Sequence, residues 1–149
     1  MKIVHVIYSL GYGGIETMLV NIVNEQVQFE HNISIICINN TVNEGLRNSI
    51  DKRVRFIEIG RPRHSRNPYY VLKFNRILLK LNADIYHFHS PTMYRFILPF
   101  FKNFFKERQC VVVHDVLNDF EQKYLSKYKN VFAISKSVKD NILTSKSRL

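Results

Sequence analysis

Lys2-Ile3-Val4-His5-Val6-Ile7-Tyr8-Ser9-Leu10-Gly11-Tyr12-Gly13-Gly14-Ile15-Glu16 is the stretch that decides the fold. It opens as a short, nearly continuous apolar run, the pattern of a strand covered on both faces, and then enters a glycine cluster. The segment beyond, Gly14 to Gln28, has helical periodicity. Strand, glycine turn and helix in that order open a parallel α/β unit. The free N–H groups of a helix start favour an anion, and glycine lets a ligand approach the main chain closely. A plain strand-to-helix connector would look the same. The apolar run leads into this turn and not into a small-residue cleavage site, so it reads as a strand and not as a secretory signal.

Working outward, the periodicity predicts further strands over Asn32 to Asn39, Arg53 to Ile59, Asp84 to His89, Cys110 to His114 and Asn130 to Ile134. Between them it predicts helices over Glu44 to Ile50, Pro68 to Leu81, Pro91 to Lys106, Asn118 to Lys127 and Lys136 to Thr144, with Pro99 kinking or dividing the fourth of the six. Right-handed crossovers then give one α/β domain over residues 1–149, a Rossmann-like, doubly wound, mainly parallel sheet of about six or seven strands. The one irregular stretch, Gly60 to Asn67, carries three arginines.

The 46% hydrophobic content suffices for one core, and no apolar run approaches the roughly 18 to 20 residues of a membrane span. Cys37 and Cys110 have neither metal-ligand nor C-x-x-C spacing, so both are expected to be small core hydrophobes in a reducing cytoplasm. The net charge of +10 is unevenly spread: residues 61 to 108 hold ten basic side chains against only Asp84 and Glu107. The middle of the chain therefore faces something negative: nucleic acid, anionic lipid or a phosphorylated small molecule.

Two cofactor readings fail. With Gly11 and Gly13 as the first glycines of G-x-G-x-x-G, the third position is Glu16, and Ile38-Asn39-Asn40-Thr41 lacks the ribose-binding acid. No G-x-x-x-x-G-K-[ST] loop is present either. In Asp84-Ile85-Tyr86-His87-Phe88-His89-Ser90-Pro91 the two histidines, two apart on a strand, point to one side. No third metal ligand is identifiable, so no metal site is expected. Val111-Val112-Val113-His114-Asp115 delivers another histidine to the same edge, and Val131-Phe132-Ala133-Ile134-Ser135 ends in a good helix N-cap.

Taken in order, Gly13-Gly14-Ile15-Glu16, the Asp84-x-x-His87-x-His89 segment, His114-Asp115 and Ser135-Lys136-Ser137 resemble the N-terminal, acceptor-side domain of family-4 glycosyltransferases of the GT-B fold. The resemblance covers Met1 to about Lys139. It implies a retaining enzyme that moves a sugar from a nucleotide-diphosphate donor to a surface or capsular polysaccharide or a lipid-linked glycan. It further implies that Gly13 and Gly14 approach the donor diphosphate, that Glu16 caps the first helical turn, and that His114 is the catalytic residue. Imidazole can polarise a hydroxyl or stabilise developing charge near neutral pH. Glu16, His89, Ser90, Asp115 and Ser135 would line the acceptor cleft, with Asp119 near the same edge, and the resemblance implies neither cofactor nor metal. The sequence closes on Ser145-Lys146-Ser147-Arg148-Leu149, so the C-terminal nucleotide-sugar-binding domain is expected to be absent, and this chain alone to be inactive.

At 100° per residue, Lys73, Arg76 and Lys80 form a basic ridge opposite Leu72, Leu78 and Leu79. Arg95, Lys102 and Lys106 form a second, flanked by Leu98 and Phe105, with Phe101 and Phe104 turned toward the sheet. Such ridges suit the anionic inner face of a membrane, each basic residue contributing about 1 kcal/mol. The alternatives are a basic nucleic-acid-binding module, for which no recognised motif speaks, and a separate half-subunit that pairs with a donor-binding protein.

Overall fold

The computed structural model describes residues 1–146; the terminal Ser147-Arg148-Leu149 lie outside the described residues. Six strands, β1 (Lys2–Ile7), β2 (Asn32–Asn39), β3 (Arg55–Arg61), β4 (Ile85–Phe88), β5 (Gln109–Val113) and β6 (Asn130–Ala133), form one sheet in the order β3-β2-β1-β4-β5-β6. Every neighbouring pair is parallel. The expected α/β, doubly wound, Rossmann-like architecture is what the chain adopts, and its strand order reverses between β1 and β4. In open α/β sheets, ligands sit outside the carboxyl ends of the strands at that switch point.

The crossovers follow local chemistry. α1 (Gly14–Gln28) starts on an extended Gly13 and buries Leu19, Val20, Val23 and Val27, an i, i+4 stripe. Asn43 caps the short α2 (Glu44–Asn48), and Asn67 followed by Pro68 starts α3 (Pro68–Leu81). Asn82, in the left-handed region at φ 40°, ends α3. Asn118 and Glu121 form a reciprocal capping box on α5 (Asp119–Leu125), and Ser135 Oγ accepts from Val138 N at 3.2 Å to cap α6 (Lys136–Lys146).

The span Pro91 to Lys106 is not one helix. It divides into a 3₁₀ segment (Pro91–Phe96), a two-turn α4 (Pro99–Phe105) and a second 3₁₀ turn (Lys106–Arg108). Pro99 is the cause: it lacks an N–H and holds Leu98 extended at ψ 145°. The break resets the helical phase, so Phe105 faces the core while Phe104 is exposed and Phe100 is 89% exposed, the reverse of the expected facing for Phe104 and Phe105.

Two cores flank the sheet. Ile3, Ile7, Ile33, Ile35 and α1 make one; Val4, Val6, Tyr86, Phe88, α3, the Pro91–Phe96 turn, α5 and α6 make the other. On the α1 side the cover stops short of β5 and β6, where Phe132 and Ile134 are 57% and 55% exposed. Those strands are therefore covered on one face only. Cys110 points to that open side and is only partly buried, so the expectation of two core thiols holds for Cys37 alone.

Candidate functional site

β1 and β4 pair with His5 beside His87, and alternation along β4 turns His89 to the same side as His87. That side is the one α1 covers. His5 is fully buried, His89 nearly so, and Gln26 of α1 reaches down to them. His5 Nε2 donates to Gln26 Oε1 at 2.8 Å, which leaves His5 Nδ1 to accept from His89 Nε2 at 3.1 Å. His87 and His89 stack at 4.4 Å between ring centroids, and His89 stacks on His114 at 5.6 Å with the planes 11° apart. Four imidazoles from three strands thus form a continuous column that ends at the C-terminal edge of the sheet.

Burial keeps the column neutral. The imidazoles of His5, His87 and His89 are pushed down to about 4, 3 and 2, each chiefly by desolvation, with the hydrogen bond to Gln26 opposing the shift at His5. His114 is lowered by the same cause, with the Asp115 carboxylate pulling the other way. His87 Nε2, His89 Nδ1 and His114 Nε2 are buried with no hydrogen-bond partner among the described residues. An unpaired buried nitrogen costs about 1–3 kcal/mol, and at His114 a hydroxyl or a water at the sheet edge would relieve it.

His5 supplies the third ligand that the sequence did not disclose, since one nitrogen from each of His5, His87 and His89 lies within 4.8 Å of the others. The ring planes decide what that means. His87 and His89 are 22° from parallel, His5 and His89 31° and His5 and His87 46°, so the in-plane lone pairs of His87 and His89 run nearly side by side. His5 and His89 spend their facing nitrogens on each other, and His89 packs flat against His114.

The other expected residues divide. Ser90 follows β4, and its Oγ is 3.0 Å from Thr92 Oγ1, which in turn is 2.9 Å from the Tyr8 hydroxyl at the end of β1. Asp115 and Ser135 are exposed beyond β5 and β6. His89 lies behind His114 and does not open to solvent. Gly13 and Gly14 are exposed at the start of α1, and a Cβ at Gly14 would meet nothing within 4 Å. A Cβ at Gly13 would sit 2.3 Å from Glu16 Oε2, so this carboxylate already lies over the turn, beside the N–H groups an anion would use. Glu16 makes no capping hydrogen bond; it acts on the helix end by charge.

The basic ridges are less regular than the helical wheel implied. On α3, Arg76 and Lys80 are exposed, but Lys73 Nζ donates to Ile59 O at 2.8 Å. Leu72 is 58% exposed and shares the solvent side with Tyr69 and Arg76, because it falls only one helical step from Lys73. Arg95 leans on Phe96, Lys102 on Tyr94, and Lys106 is exposed, so the division at Pro99 leaves no single second ridge. No helix among the described residues is long and apolar enough to cross a membrane.

An open parallel sheet with a histidine column that ends at its carboxyl edge, beside the switch point, defines a Rossmann-like domain, and in such sheets ligands sit at that edge. The chain belongs to glycosyltransferase family 4: the family's model, described as Glycosyltransferase Family 4, matches residues 12–147. The match takes in the strand ends carrying His89, His114 and Ser135 and leaves out β1, whose His5 completes the column. No curated protein matches the chain.

Proposed function

We propose that this chain is the acceptor-side half of a retaining glycosyltransferase, moving a sugar from a nucleotide-diphosphate donor to a polysaccharide or lipid-linked acceptor. The observation that carries the reading is His114, a neutral, half-buried imidazole at the edge of the sheet with an unpaired Nε2, backed by the stacked histidines behind it. Such a group accepts or donates a proton, or orients a hydroxyl, without first losing a charge. Asp115 beside it favours the protonated form as charge develops. Gly13 and Gly14 leave room for a diphosphate at the start of α1, provided the Glu16 carboxylate swings away.

The partner is a donor-binding domain, in the same chain or a separate one. Support comes from the uncovered face of β5 and β6, where exposed Phe132 and Ile134 share the side of His114. Exposed apolar side chains grouped in this way mark interaction surfaces. Docking on an anionic membrane, with a cytoplasmic location, is supported by Phe100 and Phe104, one turn apart on α4 and both exposed, with Lys106 next to them.

The test is transfer from a nucleotide sugar to a lipid-linked glycan by the 149 residues alone and by the same residues joined to a family-4 donor domain. Turnover only in the joined protein supports the reading; turnover by the chain alone, or by neither, overturns it.

A further inference from the structure

A cavity of about 610 Å³ opens at the carboxyl ends of β1, β2 and β3, on the α3 side of the sheet. Four arginines line it: Arg61 at the end of β3, Arg63 and Arg66 in the loop that follows, and Arg95 in the turn after β4. Among the described residues no acidic side chain lines it. Among the described residues the ion pairs are Arg47–Glu58, Arg53–Asp51 and Lys129–Glu107, and none of them involves these four guanidiniums.

The site is built rather than incidental. Arg61 is buried, donates to Asn39 Oδ1 at 3.1 Å and to the Ser65 carbonyl, and lies 5.3 Å from the Phe96 ring centre. Arg95 lies 5.4 Å from the same ring, so two cations share one aromatic. The loop is held by a Ser65 N to Pro62 O bond of 3.0 Å and by Asn67 capping α3, and His64 takes the left-handed φ of 66° within it. A non-glycine residue held there marks a loop whose shape is imposed by its surroundings. Gathering four like charges in a cavity destabilises the empty protein, and a bound anion offsets that repulsion. Guanidinium forks match phosphate oxygens in pairs, and the cavity is several times larger than one phosphate, leaving space for what is attached to it.

We propose that this cavity binds a phosphate- or pyrophosphate-bearing group of the acceptor through Arg61, Arg63, Arg66 and Arg95. The assignment to the acceptor rests on the reading of this chain as the acceptor-side half. Two sources share the chemistry: a polyprenyl-linked pyrophosphate at the membrane and a water-soluble phosphorylated acceptor.

Calorimetric titration of the full chain with inorganic pyrophosphate tests the site without requiring transfer. Saturable binding is expected, weakened at least tenfold in Arg63→Gln/Arg66→Gln/Arg95→Gln. It should be unchanged in Lys52→Gln/Lys123→Gln/Lys127→Gln, which removes equal charge elsewhere. Arg61 is left in place because it also holds Asn39 and Ser65. Vesicles carrying polyprenyl pyrophosphate, compared with phosphatidylglycerol vesicles of matched charge, separate the sources. Preference for the former assigns the lipid-linked acceptor; pyrophosphate binding with no preference assigns the soluble one. Absence of saturable binding, equal binding by the triple arginine variant, or tighter binding of a single-stranded oligonucleotide at the same arginines overturns the proposal. A failure here leaves the transfer assay to stand or fall separately.

Discussion

His89 Nε2 donates to His5 Nδ1 across 3.1 Å and so joins the fourth strand to the first at the point where the strand order reverses. Gln26 sets the direction of that bond, because its carbonyl oxygen holds the proton on the far nitrogen of His5. A helix side chain thereby sets the tautomers of His5 and His89, the hydrogen-bonded part of a column that ends at His114. Gln26→Leu is expected to destabilise the fold by about 1–3 kcal/mol, since it leaves the His5 N–H unpaired where no water reaches. Urea melts give the loss, and nitrogen chemical shifts of His5 and His89 should show mixed tautomers in place of one each.

The column predicts an acid-sensitive fold. His5, His87 and His89 carry folded-state values near 4, 3 and 2, all below the unfolded value of about 6.5. Between those limits the unfolded chain binds more protons, so stability is full above about pH 7 and falls as pH drops through 6.5 toward 4. The slope is on the order of 1 kcal/mol per pH unit for each histidine. Denaturation midpoints at pH 7.5, 6 and 5 test this, and His87→Met should remove about a third of the slope.

Gly14→Ala separates the two meanings of the glycine turn. The added Cβ meets nothing and helix propensity favours alanine, so stability should hold or rise by up to about 1 kcal/mol. If the main chain there approaches a diphosphate, transfer by the complete enzyme falls while the melt does not. A plain connector would leave both unchanged.

Tyr86 ties α3 to β4: its hydroxyl donates to Leu78 O and accepts from Ala83 N, both at 2.9 Å and buried. Tyr86→Phe keeps the ring packed and strands the buried Ala83 N–H, while Leu78 O keeps its bond from Asn82 N. A loss of about 1–3 kcal/mol in a denaturant melt is expected, with no change in pyrophosphate binding.

Most of the fold could be read from periodicity, because α1, α3 and β2 have clean apolar patterns and their caps sit beside them. What escaped was three-dimensional. Nothing in one strand tells which residue its neighbour places alongside, so the pairing of His5 with His87, and Gln26 above them, were invisible. The helical wheel misplaced Leu72, which lies too near the ridge to count as opposite it. It misplaced Phe104 because it carried one phase across Pro99. The half-open face of β5 and β6 looked like a covered one, since Val111, Val112 and Val113 alternate in burial but not in hydrophobicity. The arginines of Gly60 to Asn67 were conspicuous in the sequence, yet their convergence with Arg95 depends on β3 and the turn after β4 ending on one edge.

The decisive comparison is transfer at neutral pH by wild type and His114→Ala, each joined to a family-4 donor domain. His114 is half-buried and makes no hydrogen bond among the described residues, so the fold should survive its loss. A fall in kcat of roughly 10²- to 10⁴-fold is expected for His114→Ala, with the melting midpoint little changed. Transfer within a few-fold of wild type in the folded variant would contradict a catalytic role for His114.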